Sequence, residues 1–150
     1  MKSPVPAISF ATAVVAIGAI AAPGAALAAK WERVGSAGPV AVWVDKDSIQ
    51  RSGNQARAWI EWRWAQPTEL RDASPPRTYR LERQLQIANC ADRSYAVIEG
   101  THYADERGTD AVSSYKYGEA TLPFNVAPKQ TIREQVVVAV CNAPPPAKKP

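Results

Sequence analysis

The sequence predicts an α+β domain, an antiparallel sheet of about six strands with a C-terminal helix tied to it by one disulfide. Three observations carry the prediction. Several segments alternate apolar and polar side chains with a period of two, the spacing changes to three and four residues after Lys129, and the chain holds two cysteines, Cys90 and Cys141, behind a stretch that reads as an export signal.

The export signal comes first. Lys2 gives a positive head, Ala7 to Ala22 carry no charge, Pro23 and Gly24 break a helix, and Ala26-Leu27-Ala28 offers small residues at the positions a signal peptidase reads. Cleavage before Ala29 is expected. The uncharged stretch is shorter than the roughly 20 residues of a spanning helix, so residues 1–28 read as a cleaved signal and the mature protein is expected to have no membrane span. No cysteine lies at the cut, which excludes lipid attachment there. A mature domain over 29–142 and a flexible Pro/Lys tail over 143–150 complete the expected organisation.

Loss of Lys2 leaves 17 of the 18 basic side chains against 14 acidic ones, and Lys148 and Lys149 sit in the tail. The body is therefore nearly neutral. A nucleic-acid partner, which requires basic residues gathered on one face, is not expected. The remaining residues suffice for one core and leave little for a second.

Along the mature chain, Trp31 to Val34 and Val40 to Val44 read as a hairpin joined through Gly35 to Pro39. Residues 45–54 suit a turn with a short helical kink near Asp47 to Gln50. Ala56, Ala58, Ile60, Trp62 and Trp64 then alternate with Arg57, Trp59, Glu61 and Arg63. A loop is expected from Gln66 to Pro76, because its three prolines oppose regular pairing. In the next strand Tyr79, Leu81, Leu85 and Ile87 form the apolar set, interrupted by Arg83, and Arg80, Glu82, Gln84 and Gln86 form the wet one. Strands at Arg93 to Tyr103, with a bulge near Gly100, and at Ala111 to Tyr117 follow. From Lys129 to Cys141, Ile132, Val136, Ala139 and Val140 have helical spacing, although the Val136-Val137-Val138 run has strand character.

Two cysteines allow one intramolecular pairing, in a compartment where disulfides persist. Closing a loop of about fifty residues stabilises a fold by roughly 4 kcal/mol in the chain-entropy model. Free thiols or a metal pair are the alternative, and the sequence offers them no second cysteine pair and only one histidine, His102.

Three segments together bear a family likeness. Trp43-Val44-Asp45-Lys46-Asp47-Ser48-Ile49, Gln86-Ile87-Ala88-Asn89-Cys90-Ala91, and Gln135 to Cys141 followed by Asn142, in this order and spacing, resemble the surface-adhesin protein E family of proteobacterial envelope proteins. The likeness spans about Trp31 to Asn142. It implies an antiparallel sheet with a C-terminal helix held by a Cys90–Cys141 bridge, and favours helix over strand for residues 129–141. It further implies a non-enzymatic binding module, partners among host extracellular-matrix or plasma proteins, and a homodimer. Location is expected to be periplasmic or cell surface. A periplasmic structural or stress-related protein of the same fold, without a host ligand, is the alternative.

Other constellations point to little chemistry. His102 with Asp105 lacks a positioned nucleophile and an oxyanion hole, so no catalytic residue is assigned. Asp45, Asp47 and Asn54 resemble a calcium loop only superficially, since Gln50 and Ala56 stand where glycine and glutamate are required. Asp45 or Asp47 reads instead as a cap. No metal and no cofactor is expected. Trp59 lies with Arg57 and Arg63 rather than with the core set, and packs either under the terminal helix or in a partner patch. Arg80, Arg83 and Arg93, with Arg77, make the surroundings of Cys90 basic, as a solvated face or as a docking site for an acidic partner such as a matrix glycoprotein or an envelope glycan. Trp59, Arg80, Arg83 and Arg93 are therefore the candidate partner-binding residues.

Overall fold

Valines at alternate positions of β2 (Val40–Asp45) project to one side of the backbone, where they meet the matching residues of β4 (Gln55–Glu69). Val40 pairs with Trp64, Val42 with Trp62 and Val44 with Ile60. Val42, Val44, Ala58 and Ile60 are fully buried and form the centre of the core. The computed structural model describes residues 29–71 and 73–144. The predicted export signal, Asp72 and residues 145–150 lie outside the described residues.

The remaining strands are β1 (Trp31–Ala37), β3 (Gln50–Ser52), β5 (Thr78–Asn89), β6 (Ser94–Tyr103), β7 (Ala111–Lys116) and β8 (Asn125–Val126). The sheet runs β1-β2-β4-β5-β6-β7, with short β3 added to β4 and short β8 added to β6, and every pairing is antiparallel. The antiparallel sheet of about six principal strands is the one the sequence predicts; the full strand order comes from the structure. Gly38 turns the β1–β2 hairpin at φ +54°, a conformation that suits a residue without Cβ.

After β2, Asp45 organises the chain. Its Oδ1 accepts from the Lys30 and Asp47 main-chain N–H groups at 3.0 and 3.1 Å, and its carbonyl accepts the Ser48 hydroxyl at 2.7 Å. A single helical turn over Lys46–Ser48 results. Of the two aspartates the sequence offers as caps, Asp45 performs the role.

The helix α1 (Ile132–Cys141) begins at Thr131, whose side chain accepts from the Glu134 N–H while the Glu134 carboxylate accepts from the Gln130 N–H. Its buried Val136, Val137 and Val140 lie on β1, β2, β4 and β5. The Val-rich run is helical because these side chains have a sheet face to fill, and packing outweighs their modest intrinsic cost. Cys141 at the end of α1 is bonded to Cys90 just after β5. No helix among the described residues is long and apolar enough to cross a membrane.

Several details differ from the sequence reading. β3 occupies part of the expected 45–54 turn, β8 is added, and the bulge of β6 falls at Ile98, while Gly100 pairs regularly with Gln84. β4 continues to Glu69 rather than ending before Gln66; Pro67 sits in an irregularity between Arg63 and Thr68, where no ladder bond requires its missing N–H. The expected wet face of β5 is also enclosed, with Gln84 and Gln86 each only 4% exposed, because it lies on the α1 side of the sheet, in register with the buried Ile60 and Ala58 of β4. Ala143, grouped by composition with the tail, is buried in the core, and its carbonyl accepts from Arg51 at 3.2 Å.

Candidate partner-binding face

The helix covers one side of the sheet. On the other, Leu122 of the segment after β7 packs on Ile87 and Ile98 and Glu119 pairs with Arg57, and the rest is left to β-strand side chains. On that open side the pairing register aligns one residue from each of six strands: Arg33, Trp43, Glu61, Arg83, Thr101 and Ser114. Alternation along each strand places Trp31, Asp45, Trp59, Arg63 and Tyr103 on the same side.

Glu61 is the hub. It is 1% exposed, and a buried carboxylate requires compensating charge. Arg83 supplies it from the neighbouring strand, with Nε and Nη2 donating to Oε1 at 3.0 and 2.6 Å. Arg63, two residues along β4, donates its Nε to Oε2 at 2.9 Å and also engages that oxygen through Nη2. Two guanidinium groups are thus fixed in orientation by one hidden anion. Their outer faces lie against aromatic rings: Arg63 over Trp43 at 4.4 Å, and Arg83 over Trp31 and Tyr103 at 5.6 and 5.5 Å. Arg33 approaches Trp43 at 5.8 Å. The result is a pre-ordered aromatic and basic surface, the composition common at interface hot spots.

The helix side carries a different polar array beyond the end of α1. Gln86 Nε2 donates to Gln84 Oε1 at 2.7 Å, Gln84 Nε2 to Glu82 Oε1 at 2.5 Å, and the Tyr115 hydroxyl to the same Glu82 oxygen at 2.6 Å. His102 Nε2 stands 3.4 Å from that oxygen, and its buried Nδ1 has no hydrogen-bond partner among the described residues. Burial works against the charged form of Glu82, but the hydrogen bonds from His102, Tyr115 and Gln84 outweigh it and hold the carboxyl below its ordinary range. Burial, then the Glu82 charge, push the Tyr115 hydroxyl well above its ordinary value. Trp64, Tyr79, His102, Tyr115 and Tyr117 form a continuous row of ring contacts beside it. Among the described residues, no group of three His, Cys, Asp or Glu side chains is arranged to hold a metal ion.

The family model described as surface-adhesin protein E matches residues 31–142. The chain belongs to the surface-adhesin protein E family. Among solved structures, that of protein E from non-typeable Haemophilus influenzae matches with a TM-score of 0.51 at 16% identity, over 80% of each chain. A second crystal form of Haemophilus influenzae protein E gives a TM-score of 0.50 at 16% identity, over 67% of this chain and 79% of that one. At such identity the likeness shows the shared fold. No curated protein matches the chain.

Within this protein E fold the four candidate residues do not form one patch. Trp59 and Arg83 line the same depression on the open side. Trp59 therefore does not pack under the helix, which lies across the other face. Arg80 turns away to Glu106 at 2.7 Å and to the Ala65 carbonyl at 2.7 Å. Arg93, at φ 58°, pairs with Glu134 in the first turn of α1 at 2.9 Å. The local basicity that their sequence proximity suggests is divided among three acidic partners, Glu61, Glu106 and Glu134. Sequence reasoning placed Arg63 beside Trp59 but missed Trp43, Arg33 and Tyr103 as members of the open face. Cross-strand register unites them, and the one available signal was Trp43 alternating against Val42 and Val44.

Proposed function

We propose that this protein is an exported, non-enzymatic binding module that docks a host extracellular-matrix or plasma protein through the open face of its sheet, an envelope glycan being the other ligand class the chemistry suits. Family membership supports the class of activity. The observation that carries the choice of surface is the Glu61 clasp, which presents two oriented arginines among Trp31, Trp43 and Tyr103 on the side the helix leaves uncovered. Pre-ordering lowers the entropy lost when long side chains are immobilised on binding.

The test uses the oxidised exported protein against immobilised laminin and vitronectin. Saturable binding is expected, and Arg33→Glu and Trp43→Ala should each weaken it by about tenfold, against little change for Arg77→Glu in the β4–β5 loop. Flat, unsaturable signals for both proteins would remove the reading. Exposure of the protein to external protease on whole cells is expected for a surface module, whereas recovery solely by osmotic shock fits a periplasmic protein of the same fold.

A further inference from the structure

We infer that Trp59 is the platform of a saccharide site on the open face, and that its occupant is a neutral, hexose-containing oligosaccharide carried by a matrix glycoprotein; this rests on the binding-module reading above. The half-buried indole separates two shallow depressions. One, of about 420 Å³, is lined by Trp31, Asp45, Arg83 and Tyr103; the other, of about 400 Å³, by Glu99, Ser114 and Lys116. Both also include Thr101. Two open depressions either side of one ring fit successive units of a chain better than a single small molecule.

The side chains match a pyranose. A sugar ring offers an apolar C–H face and a rim of hydroxyls, each both donor and acceptor. Trp59 supplies the flat apolar surface, with Trp31 and Tyr103 flanking it. Each depression holds one carboxylate and one cation, Asp45 with Arg83 and Glu99 with Lys116, so acceptor and donor are present together on both sides. Glu99 and Lys116 are already paired at 3.0 Å, and the Thr101 and Ser114 hydroxyls meet at 3.0 Å between the two depressions.

Charge selects the class. In both depressions the cation is already bound to a carboxylate, Arg83 to Glu61 and Lys116 to Glu99, so an acidic peptide or sulfated glycan meets Asp45 and Glu99 without a free positive charge beside them. A neutral polyhydroxylated chain incurs no such repulsion. It also uses the feature typical of ligand sites, an apolar surface with a few fixed polar groups.

The experiment compares binding of the oxidised exported protein to native laminin and to laminin stripped enzymatically of its glycans. Free chitotetraose and a heparin fragment serve as competitors. Deglycosylation and Trp59→Ala are each expected to weaken binding by about tenfold or more, and chitotetraose to compete better than heparin. Should Trp59→Ala fail to fold, Trp59→Phe and the exposed Ser114→Ala read the same site, with near-ultraviolet circular dichroism confirming native packing. Equal saturable binding to native and stripped laminin overturns the saccharide site and leaves the binding module standing. Preference for heparin overturns the neutral class. No saturable binding to either form of laminin removes the saccharide site, and an equally flat signal on vitronectin removes the binding module with it.

Discussion

Tyr115 on β7 lies across Gly100 of β6 and donates its hydroxyl to Glu82 of β5, two strands away, at 2.6 Å. The path exists because position 100 has no side chain. A Cβ there would stand 2.4 Å from the Tyr115 hydroxyl oxygen and 2.5 Å from Cζ, so the ring would have to leave. Gly100→Ala is expected to destabilise the fold by about 2–4 kcal/mol in urea denaturation, combining a steric cost with a lost charge-assisted hydrogen bond. Tyr115→Phe, which removes the hydrogen bond alone, should cost about 1–3 kcal/mol. In a Tyr115→Ser background Gly100→Ala should become nearly neutral, the non-additivity expected of touching residues.

The same carboxylate predicts an acid limb. With its folded pKa below the ordinary 4.5, Glu82 contributes stability that is present above pH 4.5 and lost as the pH falls through the folded value. Glu82→Gln should therefore flatten the acid side of the stability profile relative to wild type. Tyr115 acts at the other end: its pKa is raised above 10.0, so its contribution is intact below pH 10.0 and lost as the pH rises from there. Tyrosine absorbance during alkaline titration should show Tyr115 ionising only with unfolding.

Cys90 and Cys141 are 51 residues apart in sequence and join the end of β5 to the end of α1. Replacing both by serine is expected to cost about 4 kcal/mol in the chain-entropy model. Denaturation of the oxidised and double-serine proteins checks this, and unchanged stability would place the fastening of α1 in Val136, Val137 and Val140 alone.

The Glu61 clasp predicts an asymmetry. Arg63→Met with Arg83→Met strands a carboxylate that is 1% exposed, at a cost of about 3–5 kcal/mol. Glu61→Gln should cost less, since the two guanidinium groups, 36% and 30% exposed, can turn to water. Chemical denaturation of the two variants side by side decides it, and an equal loss would refute the assignment of Glu61 as the buried charge.

The sequence by itself determined the strand periods, the number of principal strands, the helical spacing of the terminal segment, the cysteine pair and which residues of β4 share a side. Each follows from residues a few positions apart, or, for the cysteines, from there being only two. Tertiary structure decided which arginine meets which acid and on which side Trp59 stands relative to α1. It also decided that Glu82, Gln84 and Gln86 are enclosed. Alternation assigns residues to two sides of a strand, but burial depends on the strands beside it and the element packed above it. Glu61 and Arg83 lie 22 residues apart in sequence and become partners only through the β4–β5 register, a relation no local pattern encodes.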